Sequence, residues 1–424
     1  MMNAIKASVA TARTRISKLV GSPSPLSSLE RANPCPVAEE PDHYETGGFH
    51  PVSLGDRFNS DQYTILRKLG YGQYSTVWLA RDSKYQRYVA LKMLRADCYG
   101  GPHDIFEREI LLRISQVSQK SSHEGRNYVS GLLDHFKHTG PNGDHVCFVF
   151  DVLGHHLDFQ SAKYEGGKLP VMAVKVITRQ LLLGLDFLHR ECGIIHTDLK
   201  PTNILLELDN PDCAISQYLA QVPQRTGLHR GTPVPLREVI TTPLVSEMER
   251  PHTRIIDFGV ASWREHRLSD LIQSPALRAP EVSIGAPWDA GVDIWSLGCL
   301  VVEFAQGIVL FSGEASATGS WTAEDDHLAR IIEVLGPFPL HFIETGSRAA
   351  HFFDGKGNLL RIPNLKPTSL ERLINGTTEP FLKPRDMPDC EVPVFIDFLG
   401  GMLEIDPGSR KSASELLQHE WINI

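Results

Sequence analysis

The run Ile194-Ile195-His196-Thr197-Asp198-Leu199-Lys200-Pro201-Thr202-Asn203-Ile204-Leu205-Leu206 sets a polar loop between two apolar stretches that read as short strands. An acid, an ammonium and an amide (Asp198, Lys200 and Asn203) crowd into that loop. Buried without a ligand, such groups cost stability, so the fold around them has to serve a site. A second run, Ile255-Ile256-Asp257-Phe258-Gly259, ends an apolar strand in a carboxylate, with Gly259 permitting the turn.

The spacing suits phosphoryl transfer from ATP. Asp198 can orient a hydroxyl and accept its proton, Lys200 can meet the γ-phosphate, and Asn203 and Asp257 offer the hard oxygens that Mg²⁺ prefers. Upstream, Gly70-Tyr71-Gly72-Gln73-Tyr74-Ser75-Thr76-Val77 reads as a hairpin whose glycines bring backbone N–H groups near phosphate oxygens. Two glycines suit a purely structural hairpin equally well, and Ser75 stands where a third glycine is usual. On the next strand, Val89-Ala90-Leu91-Lys92 presents a lysine that could grip phosphates, although a lone strand lysine is ordinarily a solvated edge. Its glutamate partner is Glu107 or Glu109; helical spacing leaves both open, since each has apolar neighbours three or four residues away. Downstream, Glu281 of Ala279-Pro280-Glu281, Asp293 and Arg410 could each be a surface charge; resemblance to the protein kinases implies that Glu281 pairs with Arg410 and that Asp293 accepts hydrogen bonds from amides of the Asp198 loop.

The 424 residues exceed an average domain but suit one large two-lobed unit. Hydrophobic residues at 42% and charged residues at 22% fit a globular chain rather than a disordered or membrane one. The longest apolar stretch, Leu297 to Phe311, is too short to span a bilayer and carries Glu303 and Gln306, so it reads as a buried helix. Seven cysteines without paired spacing suggest neither a disulfide framework nor a metal site. A net charge of −9 disfavours direct nucleic-acid binding and permits attraction of a basic substrate. Residues 1–45 read as a disordered Pro/Ser arm; Lys6, Arg13, Arg15 and Lys18 among helically spaced apolar residues leave open a mitochondrial presequence. Short strands are expected at Tyr63–Leu69, Thr76–Arg81, Tyr88–Leu94 and Cys147–Val152, and helices at Ile105–Val117, Met172–His189 and Gly291–Gln306. A proline-rich polar insert, residues 209–252, reads as a loop between the two catalytic runs.

Taken in order, these motifs resemble the eukaryotic protein kinases over residues 63–421. The resemblance implies an α+β, bilobal fold with a β-rich N-lobe (63–153), an α-helical C-lobe (154–421), and ATP and Mg²⁺ as cofactors. Gly72–Ala80, Val149–Leu157, His196-Thr197-Asp198 and the stretch Glu40–Pro51 resemble the SR-protein kinases, which phosphorylate serines in Arg/Ser-rich proteins. By that resemblance Glu109, in Arg108-Glu109-Ile110, partners Lys92; Phe150 is the gatekeeper; and backbone groups of Asp151 and Leu153 bind adenine. Leu69, Gly70, Gly72, Val77, Ala90 and Leu205 complete the expected ATP site.

The resemblance also marks Trp321–Glu333 as a docking helix whose Asp326 and Glu333, two turns apart, would hold substrate arginines. Glu324 and Asp325 are instead expected to complement the helix dipole. It implies a monomer in cytoplasm and nucleus, with no membrane or nucleic-acid partner. The insert is much shorter than that family's spacer, and Asp257-Phe258-Gly259 replaces its leucine version, which puts spacer regulation in question. Thr197 stands where many kinases carry the arginine that receives a phosphorylated segment, so activity is not expected to await phosphorylation of Ser269 or Ser274. The competing readings are a pseudokinase scaffold, opposed by the intact Lys92, Asp198, Asn203 and Asp257, and a kinase with a non-SR substrate.

Overall fold

The computed structural model describes residues 41–100, 105–224, 226–229, 232–235, 248 and 250–423. Most of the N-terminal arm, with the basic run in residues 1–20, lies outside them. The chain forms two compact units: one from Met1–Asp104, Leu132–Val152 and Asn210–Pro243, the other from Ile105–Gly131, Leu153–Asp209 and Leu244–Ile424. In chain order the strands are β1 (Arg57–Phe58), β2 (Tyr63–Tyr71), β3 (Ser75–Asp82), β4 (Arg87–Leu94), β5 (Asp134–Gly140), β6 (Gly143–Phe150), β7 (Ile194–Ile195), β8 (Ile204–Leu206), β9 (Thr226–His229), β10 (Thr232–Pro235), β11 (Thr253–Ile255) and β12 (Ser262–Trp263). The longer helices are α1 (Glu107–Ser118), α2 (Val171–Asp186), α3 (Pro211–Gln221), α4 (Gly291–Gln306), α5 (Ala323–Leu335) and α6 (Val392–Met402).

The first unit is an antiparallel sheet ordered β1-β2-β3-β4-β6-β5. Alternation along β2 sends Tyr63 and Ile65 to the same face as Trp78, Val89, Leu91, Cys147 and Val149, and these side chains make its core. Among its described residues, the insert holds a helix where a polar loop was expected. Asn210 caps α3 by accepting the Cys213 amide, Pro211 occupies the first helical turn, and Ile215 and Tyr218 bury one face. This helix belongs to the sheet unit: Asp212 accepts the Tyr88 amide, Ser216 Oγ lies 3.1 Å from Tyr88 Oη, and Arg67 donates to the Val222 carbonyl.

The second unit is mostly helical. α4 runs over the expected residues and is buried along nearly its whole length. It stops at Gly307, whose φ of +66° and a virtual Cβ only 1.9 Å from the Gly166 carbonyl oxygen leave room for glycine alone. Among the described residues no helix is long and apolar enough to cross a membrane. Two short ladders, β7 with β12 and β8 with β11, pin the Asp198 loop and the Asp257 turn to one another.

Candidate active site

Loop 196–203 leaves β7 and enters β8, and its backbone is held from beneath by Asp293 in the first turn of α4. The Asp293 carboxylate accepts the His196 amide at 2.8 Å, the Thr197 amide at 2.9 Å and His189 Nε2 at 2.8 Å. Burial pushes this carboxyl's pKa up, but the His189 ring and the His196 amide outweigh it and hold it below the usual range. Thr197 sits at φ +65°, a costly conformation for a β-branched residue. Its own bonds over-determine that geometry, because Oγ1 also donates to the Val260 carbonyl at 2.7 Å. His196 is fully buried, takes the Asp198 amide on Nδ1, gives Nε2 to the Ile256 carbonyl and presents its ring edgewise to Phe258. Those partners fix the neutral Nε2–H tautomer.

On this frame the functional side chains converge. Lys200 Nζ lies 2.5 Å from Asp198 Oδ2, and Asn203 Nδ2 donates to the Asp198 carbonyl at 3.0 Å. Ser274 Oγ donates to Asp198 Oδ1 at 3.1 Å. The Ile256 amide bonds the Asn203 carbonyl at 3.0 Å, which brings the Asp257 turn alongside, with Asp257 at φ +66°. A Cβ placed on Gly259 would lie 3.4 Å from Asp257 Oδ1 and 3.6 Å from Glu107 Oε2, so the Glu107 carboxylate reaches this turn.

The two glutamates, of which resemblance chose Glu109, differ in burial. Glu107 is 1% exposed, whereas the Glu109 side chain is 38% exposed and pairs with its neighbour Arg108 at 2.8 Å. The buried stripe of α1 is Glu107, Ile110, Leu111 and Ile114, at i, i+3, i+4 and i+7, and Glu109 falls off it. Counting the whole stripe, rather than each glutamate's nearest apolar neighbours, would have selected Glu107.

In the sheet unit Lys92 is no solvated edge. It lies on an inner strand between Val77 of β3 and Phe148 of β6 and is 9% exposed. Gly70 and Gly72 lie at the β2–β3 turn, closed by the Gly72 amide bonding the Ser75 carbonyl at 2.8 Å. Leu69, Val77, Ala90 and Phe150 are half-buried. In the helical unit Leu153 and Leu205 are likewise half-buried, and Asp151, at the end of the sheet unit, is exposed.

A model of the family described as "Protein kinase domain" matches residues 63–422. The chain is 35% identical to "Serine/threonine-protein kinase SRPK" of Physarum polycephalum, an alignment covering 91% of each. It is 32% identical to "Protein kinase dsk1" of Schizosaccharomyces pombe over 91% of this chain and 85% of that one. It is 30% identical to "SRSF protein kinase 3" of Mus musculus over 91% and 90%. The chain is a serine/threonine protein kinase of the SR-protein kinase family.

Two further features of this kinase concern its activation segment and its expected docking helix. Gln273, which the sequence did not single out, sits at φ +65° and bonds the Thr197 carbonyl through its amide at 3.0 Å. Its buried side chain donates to the Val292 carbonyl and Ser296 Oγ and accepts the Ala279 amide. The segment is thus tied to the catalytic loop by neutral hydrogen bonds. Its far end is the buried pair Glu281–Arg410, bidentate at 2.6 and 2.9 Å, as expected. Ser274, expected to be dispensable, proves to bond the Asp198 carboxylate instead.

The helix expected at Trp321–Glu333 is α5. Thr322 and Asp325 form its capping box, Asp325 also pairs with Arg361, and Glu324 pairs with Arg348. Asp326 and Glu333 are less available than supposed. Asp326 Oδ2 accepts Arg330 Nε and the Glu314 amide, both at 2.7 Å, and Glu333 Oε1 accepts the Lys366 amide at 2.7 Å.

Proposed function

We propose that this kinase transfers the γ-phosphate of ATP to serines of Arg/Ser-rich proteins, with Asp198 as its catalytic base. The observation that carries this reading is the convergence of Lys200, Asn203 (Nδ2 to Oδ2 at 3.3 Å) and Ser274 on one Asp198 carboxylate, beside the Asp257 turn. Asp198 orients the serine hydroxyl and takes its proton as the oxygen attacks phosphorus. Lys200, held against Asp198, offsets charge that gathers on the transferred group. ATP bound with Mg²⁺ supplies the phosphoryl group.

The donor set fits that cofactor. Asn203 is oriented by its Nδ2 bonds to Asp198, and its amide oxygen and the Asp257 carboxylate are the hard oxygens that would hold Mg²⁺. The Arg/Ser preference rests on the relative named SRSF protein kinase 3, on the net charge of −9, and on Asp326 and Glu333 along α5.

The test is Asp257→Asn, assayed with Mg²⁺ on an Arg/Ser-rich substrate and on a peptide lacking arginine. Turnover is expected to fall by about a hundredfold or more with the fold retained, and the parent is expected to prefer the Arg/Ser substrate. Parental turnover in the variant would refute the metal assignment, and equal use of both peptides would refute the substrate class.

A further inference from the structure

The stretch Gly47-Gly48-Phe49-His50 is not needed for the chemistry above, yet its backbone is held at several points of the sheet unit. Asn142, at the turn between β5 and β6, donates from Nδ2 to the carbonyls of Tyr44 at 2.8 Å and Phe49 at 2.6 Å. Its own carbonyl accepts the Gly47 amide at 2.8 Å. The carbonyls of Gly48 and Gly47 then accept the amides of Ala96 and Asp97, at 3.0 and 2.9 Å, just beyond the end of β4. The preceding amide, Arg95, donates at 2.9 Å to the carbonyl of Tyr74 in the glycine-rich turn. Phe49 is fully buried beneath the Arg95 guanidinium, 5.7 Å from its ring centre, and Arg95 is itself fixed by Asp97 at 2.8 Å.

We propose that residues 41–49 are a strap that sets the backbone of the glycine-rich turn, and that Asn142 is the positioning residue that fastens it. This rests on the reading that the turn holds nucleotide phosphates. Three consecutive amides, Arg95, Ala96 and Asp97, leave β4 already directed, two by the strap and one onto Tyr74. Residues 95–97 also follow Lys92 by three to five positions, so the strap stiffens the end of the strand that carries it. The fit is close at both faces. A Cβ on Gly48 would lie 2.2 Å from the His43 carbonyl oxygen, and one on Gly143 would lie 2.9 Å from Ala96 Cβ. When the strap is loose, the Tyr74 carbonyl loses a fixed partner and the turn samples conformations that cannot meet phosphate, so nucleotide affinity falls while the peptide side is untouched.

The experiment compares the full chain with Asn142→Ala, with Asn142→Asp, which keeps the shape but donates nothing, and with Gly48→Ala. It measures amide hydrogen exchange at residues 70–76 and 95–97, the KM for ATP, the KM for peptide, and Tm. Exchange at Arg95, Ala96 and Asp97 is expected to quicken about tenfold, and the KM for ATP to rise about three- to tenfold, the scale of one hydrogen bond, with the peptide KM within about twofold of the parent. Unchanged exchange and an unchanged KM for ATP in folded Asn142→Ala and Asn142→Asp would overturn the proposal. A lowered Tm with both KM values moving together would also overturn it, since that is plain destabilisation. In the parent, a non-hydrolysable ATP analogue with Mg²⁺ should protect residues 70–76. If it does not, the nucleotide reading of the turn fails, and exchange at residues 95–97 still decides whether the strap fastens it.

Discussion

Arg410→Met should unfold this kinase more readily by an amount set almost entirely by the carboxylate it leaves behind. The Glu281 and Arg410 side chains have no solvent-exposed surface, and the guanidinium makes both bidentate bonds as well as bonds to the carbonyls of Gly291 and Glu404, at 2.9 and 3.0 Å. Stranding the carboxylate without a cation costs about 3–5 kcal/mol, a large part of the about 5–15 kcal/mol that holds a typical native protein together. At about 3 kcal/mol per M of urea, the midpoint of unfolding should fall by about 1 M or somewhat more. Glu281→Leu combined with Arg410→Met removes both charges and leaves only the two carbonyls to lose a donor, at about 1 kcal/mol each. The double variant should therefore be more stable than Arg410→Met alone. Urea unfolding followed by tryptophan fluorescence and by residual activity measures both. A double variant that unfolds at lower urea than the single one would refute the argument that the buried, unpaired carboxylate is the source of the loss.

Two functional predictions follow from the same coordinates. Ser269→Ala, in protein made in bacteria, should leave turnover at the parental level, because the segment is fixed by Thr197 and Gln273 without charge, whereas Ser274→Ala should lower kcat by about tenfold through the lost bond to Asp198. Steady-state kinetics of the two purified variants decide it, and a deep loss in Ser269→Ala would show that the segment needs a phosphate after all. Asp326→Ala/Glu333→Ala should raise the KM for a long Arg/Ser substrate and flatten its salt dependence while short-peptide turnover stays near parental. Because both carboxylates also bond their own chain, Tm is measured alongside, and equal KM and salt slope with a lowered Tm would make them structural residues only.

The catalytic loop and the Asp257 turn were legible in the sequence, because each depends on residue types at fixed short spacing; the Glu281–Arg410 pair and the Asp293 prop, whose members lie far apart in the chain, were expected only through the resemblance. α4 was legible because Gly291–Gln306 carries a long apolar face at helical spacing, although only the structure ends it at Gly307. The nearest apolar neighbours alone did not separate Glu107 from Glu109; the residues two turns along the helix, Ile114 against Gln116, are what tell which one is buried. The insert's helix was hidden behind its prolines, although Asn210-Pro211 was a start signal in plain view. Ser274, Gln273 and the strap were out of reach for a deeper reason. Each acts through hydrogen bonds to backbone groups far away in the chain, and a backbone carbonyl looks the same at every position in a sequence until the tertiary fold gives it a direction.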